Sequence, residues 1–201
     1  MNNETTAMAR GQAATVGRFR PVQAFYHPNG KGGGAAIKLE LHPAHDDVDG
    51  SIMLRMANQC AVGNRNGETP TYARFDWQRA ICVKLDFNDL CKMLQVFRGE
   101  CESIDGDHGL YHQTARTMTK IQLRHLVEPV SGYSLEIYRN LREGGDGAHG
   151  HFMLTTAEAT GLCEAIAGSM SVICFGIPML VAHDTSAYEA QEREFRNASA
   201  A

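Results

Sequence analysis

The sequence predicts an α+β fold in which four strands and a helix are followed by about four more strands and a second helix, a ββββα-ββββα order. Three observations carry this. Short runs of alternating apolar and polar residues recur along the chain, as half-buried strands require. Two longer runs place apolar residues at the spacing of a half-buried helix. Strands that neighbour each other in sequence are joined by turns, which points to antiparallel meanders rather than parallel βαβ units.

The first strand spans Phe19 to Tyr26, is interrupted by Pro21 and stops at His27-Pro28. A glycine-rich turn, Asn29-Gly30-Lys31-Gly32-Gly33-Gly34, leads into a strand from Ala35 to Leu41. Ile37, Leu39 and Leu41 point one way, Lys38 and Glu40 the other. Asp47 to Gly50 is a turn. Ser51 to Asn58 directs Ile52, Leu54 and Met56 inward, against Met53 and Arg55. A polar loop, Val62 to Thr71, precedes a fourth strand within Phe75 to Leu85, with Ile81, Val83 and Leu85 on one face. The first helix starts at Asp86, an N-cap with Asp89 three residues on as a capping-box partner. Leu90, Met93, Leu94 and Phe97 form its stripe, and Gly99 is its stop.

The second half repeats the plan. Glu100 to Ile104 is a short strand and Asp105 to Gly109 a turn. Thr117 to Val127 is a strand whose faces Met118, Ile121, Leu123 and Leu126 mark imperfectly. Pro129 and Gly132 make the next turn, and Tyr133 to Arg139 alternates. Glu143 to Gly150 is a glycine-rich loop before a last short strand, His151 to Leu154. Thr155 or Thr156 caps the second helix, with Glu158 in its first turn and a stripe through Leu162, Ile166, Met170 and Ile173.

The chain has 201 residues, 43% of them hydrophobic, enough for one domain with a core. We divide it into a disordered arm at 1–17, a domain at 18–181 and a charged tail at 182–201. The arm lacks the apolar segment of a signal peptide. The longest apolar run, Ser171 to Ala182, is interrupted by Gly176 and Pro178, so no run is expected to span a bilayer. Six cysteines without a C-x-x-C pair read as free thiols, mostly core filler, in a reducing, cytoplasmic setting. Net charge is −4, which taken alone disfavours nucleic acid. Its distribution does not. Met1 to Glu40 and Tyr111 to Arg142 each carry five basic side chains against two acidic ones. A locally basic surface is therefore compatible with the acidic whole.

The glycine-rich turn is not a mononucleotide loop, because it lacks G-K-[ST] and opens a strand instead of a helix. It reads either as an ordinary hairpin tip or as a place where a nucleic-acid backbone comes close, with Lys31 and Lys38 on phosphates. The block Tyr72-Ala73-Arg74-Phe75-Asp76-Trp77-Gln78-Arg79 sets the chain's single Trp among arginines. Aromatic faces with cations are what sequence-tolerant single-strand binding uses, and a strand-end aromatic anchoring the core fits as well. The His42 to Asp49 stretch and Asp105 to His108 hold acids and histidines but neither H-E-x-x-H nor an EF-hand spacing. Polar turns explain both; a metal-dependent phosphoesterase on His45, Asp46 and Asp47 is the enzymatic alternative. There is no G-x-S-x-G, and no cysteine in a recognisable basic setting.

Three segments resemble the Whirly family of single-stranded-DNA-binding proteins, over roughly Phe25 to Phe175. Gly32-Gly33-Gly34-Ala35-Ala36-Ile37 is similar to the family's K-G-K-A-A-L motif, Phe75-Asp76-Trp77 to its Y-D-W, and Val127-Glu128-Pro129 to its V-E-P. The resemblance implies two antiparallel four-stranded sheets, single strands lying along sheet edges, and tetramer assembly through the helix at 156–175. Gly32 and Gly34 stand where the motif has lysines, so backbone amides and Lys31 would have to grip phosphate in their place.

The expectation is a homo-oligomeric, non-enzymatic protein that binds single-stranded DNA, or RNA, with little sequence preference; a purely structural assembly protein, which would form the oligomer without binding oligonucleotides, is the other non-enzymatic alternative. Replication, recombination or repair follows from the binding class. Lys31, Lys38, Arg74, Arg79, Lys120 and Arg124 are the expected phosphate contacts, with Gly32, Gly33 and Gly34 giving close approach. Phe75 and Trp77 are the expected stackers, with Tyr26 behind them. No catalytic residue, metal or cofactor is assigned. The acidic tail at Glu189 to Glu194 reads as a solvated segment or a recruiter of proteins.

Overall fold

Alternation over residues 35–61 becomes the centre of an antiparallel sheet in the computed structural model, which describes residues 22–176 except 46, 65, 67 and 68. The sheet holds β1 (Val22–His27), β2 (Ala35–His42), β3 (Ser51–Ala61) and β5 (Ile81–Leu85), paired in the order β1-β2-β3-β5. A two-residue strand, β4 (Arg74–Phe75), pairs with the far end of β3. The single strand expected within 75–85 is thus two pieces. Asp76 separates them by accepting both the backbone N–H and the Nε–H of Arg79, which closes a turn. The first sheet therefore carries five strands, where four were expected.

The second sheet runs β6 (Leu110–Gln113), β7 (Thr117–Leu126), β8 (Gly132–Leu141), β9 (Ala148–Leu154), each antiparallel to the next. The short strand expected at Glu100 to Ile104 does not form. Only an isolated bridge joins Ser103 to Arg124, and Ile104 to Asp107 turns as a 3₁₀ segment. The strand lies further on, at β6. On β7 the inward positions are Thr119, Ile121 and Leu123, while Met118 is exposed. β9 begins three residues earlier than expected, within the segment read as a loop. Gly150 permits this, because a Cβ there would lie 2.4 Å from the Met56 sulfur. The two sheets approach too closely at that point for any side chain.

The core joins both inner faces. Ile37, Leu54 and Met56 from the first sheet and Ile121, Leu135, Ile137 and Phe152 from the second are almost fully buried. Helix α1 (Phe87–Phe97) adds Leu90, Met93 and Leu94. Its capping box forms as expected: Asp86 accepts from the Asp89 N–H, and the Asp89 carboxylate accepts from the Asp86 N–H. Gly99 follows the helix at φ +73°, the left-handed geometry that ends it.

Helix α2 (Thr156–Phe175) is capped the same way by Thr155 and Glu158 and buries Leu162, Ile166 and Ile173. Its 20 residues, with a mean hydropathy of 1.2, are long and apolar enough to cross a membrane by length and composition, which corrects the expectation that no segment reaches that length. Only 28% of that segment is buried, so among the described residues much of its apolar surface is left exposed.

The six cysteines are unbridged, but only Cys163 is buried, and Cys60 and Cys174 are exposed, so core filling is not their general role. The arm at 1–17, the tail at 182–201 with Glu189 to Glu194, and Asp46 lie outside the described residues. His45 sits in a small turn, bridged to Val48. No group of three metal-ligating side chains occurs among the described residues.

Candidate nucleic-acid interface

Because side chains alternate across a strand, the residues that do not face the core of the first sheet share its outer face. On β1 and β2 these include Tyr26 and Lys38; on β3 they include Arg55, which lies directly opposite Lys38. The segment after β3 returns over this face and lays Phe75 and Trp77 on it. The Phe75 and Trp77 rings lie 5.7 and 6.3 Å from Tyr26, both inclined to it. The Lys38 ammonium sits 4.1 Å from the centre of the Trp77 ring, and the Arg55 guanidinium 5.9 Å. Arg55 also donates from Nη2 to the Trp77 carbonyl at 3.1 Å, which fixes the loop to the sheet.

Four expected residues, Tyr26, Lys38, Phe75 and Trp77, are thereby brought together. Arg55 completes the cluster and was missed. Its signal was available: it sits on the outward phase of β3, but nothing local shows that its cross-strand partner is Lys38. Two like charges directly opposite each other destabilise a sheet unless something offsets them. Here the Trp77 ring does so in part, and an anion on this face would do so further.

The other expected residues are placed differently. Lys31 and Arg74 are exposed at the same end of the first sheet, without side-chain partners among the described residues. Arg79 is 2.6 Å from the Asp76 carboxylate, and this hydrogen bond holds Asp76 below its usual value. Its charge is therefore largely spoken for. Lys120 and Arg124 lie on the second sheet, and among the described residues no contact joins them to Trp77. Lys120 sits 5.6 Å over the Tyr111 ring, and Arg124 pairs with Asp107 at 3.2 Å. Nearby, Tyr138 and His149 stack at 4.4 Å, and the Tyr138 hydroxyl donates to Glu136.

Most amides of the glycine turn are already used: Asn29 Oδ1 accepts from Lys31 and Gly33, the Asn29 carbonyl accepts from Gly32, and Gln59 Oε1 accepts from Gly34. Gln59 also donates to the carbonyls of Asn29 and Ala61, so one buried amide pins the whole hairpin. Gly34 is required by its own chain. A Cβ there would lie 2.3 Å from Gln59 Oε1 and 2.4 Å from the His27 carbonyl. Gly30 and Gly33 have room for a side chain, and Gly32 owes its residue type to φ +79°. The amides of residues 31–34 are thus engaged within the hairpin, and the cations exposed near it are the side chains of Lys31 and Arg74.

No family model and no curated protein matches the chain. Solved structures do. WHY1 from Arabidopsis thaliana superposes with a TM-score of 0.62 at 14% identity, covering 90% of this chain and 94% of that one. WHY3 from Arabidopsis thaliana gives 0.62 at 16%, covering 86% and 98%. A guide-RNA-binding protein complex bound to a guide RNA gives 0.50 at 14%, covering 79% and 94%. The chain has the Whirly fold, as the three sequence segments implied.

Proposed function

We propose that this chain binds single-stranded nucleic acid, DNA in the first instance, on the outer face of its first sheet. The observation that carries this reading is the Trp77 ring, backed by Lys38 and Arg55 and flanked by Tyr26 and Phe75. Each base stacked on such a platform contributes roughly 1–3 kcal/mol, and the cations draw the backbone to the same place. The fold, and the guide RNA bound to one protein that shares it, support the reading. The role is non-catalytic and serves replication, recombination or repair in a reducing, cytoplasmic compartment. The uncovered face of α2 joins copies into a homo-oligomer, a tetramer as the resemblance implies, so that platforms of several copies engage one strand.

Titration of labelled oligo-dT at increasing salt tests this. We expect log affinity to fall linearly with log salt, at roughly 0.7 per phosphate contacted. No binding at low salt, or affinity indifferent to salt, overturns it.

A further inference from the structure

The second sheet also has an outer face, and its register lines up one residue from each strand across it. Tyr111 of β6 lies opposite Lys120 of β7, Lys120 opposite Tyr138 of β8, and Tyr138 opposite His149 of β9. Alternation puts all four on the side away from the core, because their neighbours Leu110, Ile121 and Ile137 are buried. Large apolar groups are exposed here: Tyr111 by 58%, Met118 by 44% and Tyr138 by 36%. A sheet face turned to water is ordinarily polar, and a cluster of exposed apolar groups rimmed by polar ones marks a binding surface.

Tyr138 is held as a stacking surface. One side of its ring lies against His149, 4.4 Å away and inclined by 15°. Its hydroxyl donates to Glu136, which fixes the ring and engages that acid. His149 comes from the strand on one flank, so the free side of the ring looks the other way, over Lys120 toward Tyr111. Between the two tyrosines lies a cavity of about 430 Å³, lined also by Met118, Lys120, Gln122 and Asn140. The tyrosines stand two strand spacings apart, roughly 9–10 Å, which admits a flat ring between them. Lys120 leaves the space open, since its ammonium is drawn to the β6 side, 5.6 Å over the Tyr111 ring and 3.5 Å from the Asp107 carbonyl.

The cations extend beyond the cavity. Arg116 and Arg142 are exposed at the end of the same strands, where the Arg142 N–H donates to the Arg116 carbonyl at 2.9 Å. The acids Glu143 and Asp146 stand in the loop after β8, outside the row. On the far side of His149, a groove of about 370 Å³ lined by His149, His151, Asn58, Gly32, Gly33 and Gly34 carries the face on to the glycine hairpin of the first sheet.

We infer that this row is a second single-strand platform, on which a base stacks against the free face of Tyr138, opposite Tyr111, while Lys120, Arg116 and Arg142 meet phosphates. Aromatic faces beside cations along a backbone path are the chemistry that single-stranded nucleic acid uses. The inference rests on the nucleic-acid reading above and gives each copy two platforms where that reading has one.

The chain's single Trp belongs to the first platform, so the two can be read apart in the full chain. Quenching of Trp77 follows the first sheet, and anisotropy of labelled oligo-dT follows binding as a whole. Tyr111→Ala and Tyr138→Ala should each lower oligo-dT affinity about fivefold or more, the scale of one stacked base, while saturating oligo-dT quenches Trp77 as in the wild type. Tyr138→Phe keeps the ring and loses only the contact to Glu136, so it should retain most of the affinity. Lys120→Gln should lower the salt slope by about 0.7. If the wild type binds and quenches Trp77, yet both alanine variants and Lys120→Gln leave affinity and slope unchanged, the second platform fails and the first stands. A loss in Tyr138→Phe equal to that in Tyr138→Ala also overturns it, because the ring would then not be what binds. If these variants lose affinity while Trp77→Ala binds like the wild type, the second platform holds and the first-sheet reading fails. If the wild type binds no oligo-dT, both fall.

Discussion

The ammonium of Lys38 lies behind the Trp77 ring, so a base stacking on the other face meets a ring whose charge partner is already in place. Trp77→Ala should therefore cost about 1–3 kcal/mol of affinity for oligo-dT, read by fluorescence anisotropy. Lys38→Gln should lower the salt slope by about 0.7, one phosphate fewer. Arg79→Gln is the contrasting case: its guanidinium is paired with Asp76, so its slope should change by clearly less than that of Lys38→Gln. An equal loss at both positions would mean that the Asp76 pair opens on binding. Residue type alone marked Tyr26, Lys38, Phe75 and Trp77. Arg55 was legible only as an outward-facing residue of β3, because its place in the cluster comes from a register between two strands. Asn29 and Gln59 were not legible, since their amides meet only once the hairpin closes. Gly34 makes the same point through stability. Gly34→Ala should destabilise the fold by about 1–3 kcal/mol in urea unfolding, since the new Cβ runs into backbone at His27 and the fully used amide of Gln59. Gly30→Ala, with nothing within 4 Å, should leave stability nearly unchanged.

Among the elements, those with a local code were readable and those completed by a distant partner were not. Helix α1 is announced by Asp86 and Asp89 and forms with that capping box. Strand β6 has four residues, of which only Leu110 is fully buried, so no alternation reveals it. What holds it is β7 beside it and a link from His112 Nε2 to the Asp89 carboxylate at 2.9 Å. The hydrogen bond to Asp89 raises the His112 pKa above its ordinary 6.5, against the opposing effect of burial. A raised folded-state value means that the protonated pair stabilises the fold fully below about pH 6.5 and that this contribution fades as pH rises through the folded value. The difference in unfolding free energy between the wild type and His112→Gln should thus be largest near pH 6 and shrink toward pH 8.5. A difference constant over that range would show that the link does not depend on the imidazolium. Asp89 serves both the α1 cap and His112, so loosening this pair should also fray the first turn of α1.

At the scale of the molecule, α2 turns a broad apolar face away from the described core. Its inward stripe of Leu162, Ile166 and Ile173 is spent on the core, yet Phe175 is 82% exposed and the outward side carries Gly161 and Gly168. Among the described residues, a Cβ added at either glycine meets nothing within 4 Å. A lone chain should therefore gain from replacing them, since glycine inside a helix costs about 0.5–1 kcal/mol relative to alanine. An oligomer built on this face should lose, because small residues are where helices of different copies can approach most closely. Gly168→Leu separates the two cases. If α2 is the assembly surface, the variant should sediment as smaller species than the wild type while keeping its helical content. Its salt-dependent affinity for long oligo-dT should also drop more than its affinity for a short one, as linked platforms are lost. If the mass is unchanged and the melting temperature rises, this face of α2 is solvent-exposed in the working protein, and each copy must hold its strand by itself.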